Sequence, residues 1–74
     1  MLYNERITVN PDIMPGKPVI KGTRITVEFI LKKLSEGMTI QELIEAYQTL
    51  NYEDVLAALS YSANVVGKEE LLAI

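Results

Sequence analysis

The stretch Val19-Ile20-Lys21-Gly22-Thr23-Arg24-Ile25-Thr26-Val27-Glu28-Phe29-Ile30-Leu31 contains the change of period on which the fold turns. Before Thr26 the apolar residues come in short β-branched runs, as in strands; from Thr26 onward they recur every three or four residues, as on one face of a helix. Thr26 suits the N-cap position, Val27, Ile30, Leu31, Leu34 and Met38 form an apolar stripe, and Glu28 and Lys32 make an exposed i,i+4 pair. Gly37 is placed to stop this first helix, as a residue of left-handed conformation just past a helix C-terminus does.

Toward the N-terminus, Val19-Ile20-Lys21 reads as a short strand and Gly22-Thr23-Arg24 as the turn that leads into the helix. Residues 11–18 hold Pro11, Pro15, Pro18 and Gly16, which excludes a helix there, because each proline removes a backbone donor and pushes its predecessor out of the α region. Arg6-Ile7-Thr8-Val9 is a second β-branched run, ended by the turn dipeptide Asn10-Pro11. Strands this short do not stand alone as a hairpin, so they are expected to lie on the helices or to pair with another subunit. Exchange of this arm between subunits is one expectation.

Toward the C-terminus, Thr39-Ile40-Gln41-Glu42 is a capping box that opens a second helix with Ile40, Leu43, Ile44 and Tyr47 on one face. Gln48-Thr49-Leu50 is a connector, and Asn51 caps a third helix whose first turn holds Glu53 and Asp54, where the helix dipole favours negative charge. In that helix, over 52–66, Tyr52, Val55, Leu56, Leu59, Ala63 and Val66 are expected to be the core stripe. Ala58, Tyr61 and Val65 make a second apolar line on the other side, and no charge intervenes between Asp54 and Lys68. A helix apolar nearly all round needs cover on two sides, and a chain of 74 residues has little left to supply the second. The outer line is therefore expected to meet a partner; the competing view is that small alanines and serines are merely neutral in water. The tail 67–74 adds Leu71, Leu72 and Ile74, expected to order in a partner's groove or to form a last turn on the protein's own core. The chain is thus one domain, 1–74, with a β arm over 1–25, three helices over 26–66 and a C-terminal tail over 67–74.

Composition narrows the function. There is no histidine and no cysteine, which removes the usual catalytic triads, disulfides and N or S metal ligands. The paired acids Glu42 and Glu45, Glu53 and Asp54, and Glu69 and Glu70 are explained by caps and solvated faces, so no enzyme, metal or cofactor is expected. Gly16 to Thr23 differs from a phosphate loop: five residues separate its glycines, no lysine follows Gly22, and Pro18 lacks an amide. No apolar run approaches the roughly 20 residues that span a bilayer, and the start shows no signal-peptide pattern, so a cytoplasmic protein is expected. A core this small, without disulfide or metal, favours self-association, and a homo-oligomer, most simply a dimer joined through the arm, is expected.

Charge is uneven. Residues 1–33 carry Arg6, Lys17, Lys21, Arg24, Lys32 and Lys33 against Glu5, Asp12 and Glu28, whereas residues 34–74 carry Lys68 against seven acids. The six N-terminal cations are the candidate DNA contacts, with a solvated basic face as the alternative. The second and third helices have the spacing of a helix-turn-helix, which nominates Thr49, Asn51 and Tyr52 to face bases, but Glu53 and Asp54 would then sit beside phosphates.

Ile7-Thr8-Val9-Asn10-Pro11, the run from Gly16-Lys17-Pro18-Val19-Ile20-Lys21-Gly22-Thr23-Arg24 to Glu28, Gly37 to Ile44 with Tyr47, and Tyr52 to Leu59 together resemble domain-of-unknown-function family 433 over about residues 5–66. The resemblance implies a mainly α fold: a three-helix homeodomain-like or winged-helix-like DNA/RNA-binding bundle behind a short β-strand arm. It further implies a prokaryotic antitoxin similar to the VapB class, which binds and inhibits a PIN-like RNase toxin and represses its own operon. On that basis Ala58, Tyr61, Val65, Leu71, Leu72 and Ile74 are the expected toxin contacts. Two departures weaken direct DNA reading: Gln48 stands where the family commonly has proline, and the third helix lacks the family's frequent basic residues. The alternatives are a stand-alone DNA-binding regulator and a dimerisation module without a toxin. Within the shared motif, Thr23 and Arg24 are expected to hold the arm by hydroxyl and guanidinium hydrogen bonds.

Overall fold

A computed structural model describes residues 5–9, 11–12 and 15–73, with side chains as far as Lys68. Two three-residue strands, β1 (Ile7–Val9) and β2 (Pro18–Ile20), precede three helices, α1 (Val27–Ser35), α2 (Ile40–Ala46) and α3 (Tyr52–Ala73). The fold is mostly helical, with one small antiparallel sheet.

The strands pair within the chain, Ile7 opposite Ile20, Thr8 opposite Val19 and Val9 opposite Pro18. Pro18 is tolerated because it opens its strand. On its other side β2 is bridged through Val19 to Thr26, so the arm is stitched to the start of α1. The expected turn closes this stitch: Gly22 takes φ +82°, and the Thr23 hydroxyl donates to the Ile20 carbonyl (2.8 Å) while accepting from the Ile25 amide (3.0 Å). Thr23 therefore has the expected role. Arg24 does not; it is exposed and makes none of the expected hydrogen bonds among the described residues.

Local signals also fix the ends of α1 and α2. Thr26 accepts from the Phe29 amide at 2.9 Å, and Thr39 and Glu42 complete a capping box, each bonding the other's backbone amide. At the end of α1, Gly37 at φ +98° donates to Leu34 and Met38 donates to Lys33. That is the paired 5→2 and 6→1 closure of a Schellman motif, which needs a residue at ease with positive φ.

The core joins Ile20, Val27, Ile30, Leu43, Leu50, Val55 and Ala58. Leu50 lies in the connector between α2 and α3 and anchors it. Around this centre lie half-buried Ile7, Ile25, Leu34, Ile40, Tyr47 and Tyr61, among others. Phe29 and Tyr47 meet edge to face, 5.2 Å between centroids, and join α1 to the end of α2.

The third helix departs from expectation in two ways. It does not stop before Gly67 but runs for 22 residues to Ala73, because a lone glycine costs a helix only about 1 kcal/mol. Its buried side is also different. Asp54, Val55, Ala57 and Ala58 are buried, whereas Tyr52, Ala63 and Val66 of the expected core stripe are exposed. Ala58 of the expected outer line is a core residue at 0% exposure. Periodicity finds two apolar lines but not the side on which the bundle sits, and a small side chain is what allows a neighbouring element to approach α3 closely.

At 74 residues total stability is about 4–11 kcal/mol. Ile30→Ala, which leaves a cavity at the centre of the cluster, is expected to lose about 2–5 kcal/mol in urea titration; a loss below about 1 kcal/mol would show that the core is not centred there.

Candidate functional site

Two surfaces need separate description, the basic face and an apolar groove. The six candidate DNA contacts do not form one free patch. The Nη1 of Arg6 donates to Oδ1 of Asp54 at 3.0 Å, the Nζ of Lys17 donates to Oε1 of Glu28 at 2.7 Å, and Lys33 pairs with Glu36 at 3.7 Å while lying 5.4 Å from the Phe29 ring centre. Lys21, Arg24 and Lys32 are exposed and enter no ion pair among the described residues. Glu28 bonds Lys17 and not the i,i+4 neighbour Lys32. This bond, more than the nearby charge, holds the Glu28 carboxyl below the usual glutamate range.

Asp54 carries most of the polar organisation at the start of α3. Its Oδ2 accepts from the Asn51 amide (3.1 Å), its own amide donates to Asn51 Oδ1 (2.9 Å), and its Oδ1 holds Arg6. The side chain is 10% exposed, so a carboxylate that would be costly to bury alone is satisfied by two partners. Asn51, nominated to face bases, has its side-chain oxygen committed to this cap. Thr49 and Tyr52 are exposed, but the buried acid one turn on is tied to the arm and is not aimed at solvent.

The second surface is a groove of about 300 Å³ between α1, β2 and α3, walled by Pro18, Val27, Leu31, Tyr61, Val65 and Val66. Val65 is 43% exposed and Val66 51%, two consecutive large apolar residues on a helix that has left the bundle. Of the expected toxin contacts, Tyr61 and Val65 thus lie together at the groove, while Ala58 does not reach the surface. Leu71 and Leu72 fall on α3, their side chains outside the described residues, and Ile74 is outside them altogether. Pro18, Val27, Leu31 and Val66 were missed as groove walls. Val27 and Leu31 stand one turn apart on α1, a signal that the sequence carries but that reads equally well as core. No described helix is long and apolar enough to cross a membrane.

The family model described as a protein of unknown function (DUF433) matches residues 7–62. The chain belongs to this DUF433 family. An uncharacterised protein, y4eO of Sinorhizobium fredii (strain NBRC 101917 / NGR234), is 33% identical over 58 residues, 78% of this chain but 26% of that protein. The chain therefore spans about a quarter of the curated relative it matches. The crystal structure of a DUF433 member from Anabaena variabilis ATCC 29413 superposes with a TM-score of 0.74 at 28% identity, covering 93% of this chain and 69% of that one. The DUF433 match ends at Ser62, so the distal part of α3, with Val65 and Val66, lies beyond it.

Two outcomes follow from the polar geometry. Asp54→Ala, which removes both the cap and the arm contact, is expected to cost about 2–3 kcal/mol and more than Arg6→Ala; equal stability of Asp54→Ala and the parent in urea would contradict the assignment. Glu28 and Glu42 both titrate below the usual glutamate range, Glu42 because the Thr39 backbone amide bonds its charged form. A depressed acid stabilises the fold above its unfolded pKa, and that contribution is lost as pH falls through the folded pKa. Carboxyl NMR titration is expected to find Glu28 low in the parent and back near its usual range in Lys17→Gln, with Glu42 unmoved.

Proposed function

We propose that this DUF433 protein is a cytoplasmic, prokaryotic antitoxin that binds and inhibits a PIN-like RNase through the groove between α1 and α3 and the exposed residues 63–66 of α3. The observation that supports it is the groove itself: an apolar trough flanked by exposed Val65 and Val66 is the form in which a surface takes a partner's helix or apolar segment. The absence of histidine and cysteine from the sequence fits an inhibitor that acts by occupying its target. An acidic C-terminal half suits a basic nuclease groove, where it would compete with RNA.

The homeodomain-like or winged-helix-like kinship, with α2 and α3 as a helix-turn-helix and operator DNA as a second ligand, belongs to the same proposal in a weaker form. Its support is the exposure of Lys21, Arg24 and Lys32 on the N-terminal part of the chain. With Arg6, Lys17 and Lys33 committed to pairs inside the chain, the electrostatic footprint is about half of what the sequence offers. A stand-alone regulator would have to bind with that footprint alone.

Co-expression with a PIN-like nuclease, taken from the adjacent gene where one is encoded there, is the test. The parent chain is expected to co-purify with the nuclease and to suppress RNA cleavage, and Val65→Asp combined with Val66→Asp is expected to abolish both while leaving the helical circular dichroism intact. These positions are preferred to Tyr61, which also supports the core. Full suppression by the double variant would remove the proposal.

A further inference from the structure

We infer that, when no other protein is bound, the groove is filled by the last two turns of α3 from a second copy of this chain, the two α3 helices crossing antiparallel near Val65 about a twofold axis. The inference goes beyond the nuclease reading and does not require it.

Length makes the arrangement self-complementary. From Val65 to Ala73 the helix rises about 12 Å, and from Val65 back to Ala58 about 10 Å. In an antiparallel pair centred on Val65, residues 66–73 of each copy lie opposite residues 64–57 of the other. That is the side on which Tyr61 forms a wall and the first turns of α1 stand beside it. Each distal end is then the filler of the other's groove, as a twofold interface requires. The helix cannot serve its own groove, because it is continuous from Tyr52 to Ala73 and Val65 and Val66 within it are themselves walls.

Charge selects a second copy as the occupant. The filler reads Lys68-Glu69-Glu70-Leu71-Leu72, an acidic pair followed by a leucine pair. The groove offers an apolar floor and one lining acid, Glu28, which holds Lys17 and has Lys32 within electrostatic reach, so two cations stand beside its edge. Across the whole chain the same complementarity holds, +3 for residues 1–33 and −6 for residues 34–74 by the side chains named above. An antiparallel pair sets the acidic end of each α3 over the basic rim of its partner twice. The arm is not needed for this contact: β1 pairs with β2, and Arg6 with Asp54, inside one chain. The second copy covers the face proposed for the nuclease, so self-association and nuclease binding exclude one another.

Sedimentation equilibrium on the purified full chain alone tests the inference, with 8.3 kDa as the monomer mass. The parent is expected to reach twice that mass, and Val65→Asp to remain monomeric with unchanged helical circular dichroism. Lys32→Glu, and separately Glu69→Lys with Glu70→Lys, are each expected to weaken association about tenfold, and the triple variant to recover it. These exposed charge reversals keep the test decisive even if Val65→Asp unfolds. A parent that is monomeric at all concentrations, a dimer indifferent to Val65→Asp, or a triple variant no tighter than its components would overturn the inference. Because no nuclease is present, failure here leaves the nuclease reading standing, and failure of nuclease binding leaves the dimer standing.

Discussion

A long helix that the rest of the chain can cover over half its length is the constraint on which this structure depends. At 22 residues α3 is about 33 Å long, whereas the elements that pack on it are two strands of three residues and helices of nine and seven. Those short elements bury Asp54, Val55, Ala57 and Ala58 and leave 63–66 exposed. The radius of gyration is 12.6 Å, against about 11 Å for a compact domain this size. What the protein does is therefore sought where α3 leaves the bundle, and what holds the protein together is sought where α3 begins.

At that beginning the sequence invests in polar order. Asp54 closes the N-terminus of α3 with Asn51 and at the same time holds Arg6, which tethers the first strand across 48 residues of chain. Thr23 ties the end of β2 to the residues before α1, and Thr26 both bridges to Val19 and caps α1. Each of these groups satisfies a backbone or charged partner that would otherwise be buried unpaired, and no buried side-chain polar atom among the described residues lacks a partner. The consequence for function is subtraction: cations that the sequence offers to DNA are partly consumed in holding the arm.

Much of the architecture was legible because local and global signals agree. The two short strands, the caps at Thr26, Thr39 and Asn51, the stop at Gly37 and the three-helix order follow from residue types with direct conformational consequences, whereas the pairing of the strands with each other was not read. The orientation of α3 was not legible: alanine is equally at home in a core and in water, so Ala57 and Ala58 gave no sign of which side faces the bundle. The length of α3 was misread because Gly67 looks like an ending, yet it lies within a run that is otherwise helix-compatible. At the site, Tyr61 and Val65 were found by their spacing. Pro18, Val27 and Leu31 were missed because a groove is made where two elements diverge, and that divergence is a tertiary property with no trace in either element alone. Ion pairing was missed for a similar reason: Arg6 and Asp54, or Lys17 and Glu28, meet through the fold and not through a helical repeat.

Amide hydrogen exchange along α3 tests the central claim most directly. In dilute protein the amides of residues 55–61 are expected to share the protection of the global fold, while those of 64–73 exchange much faster and gain protection as protein concentration rises or a partner is added. Uniform protection from Val55 to Ala73, unchanged by concentration and by any partner, would show that the chain already covers the whole helix and would contradict the account.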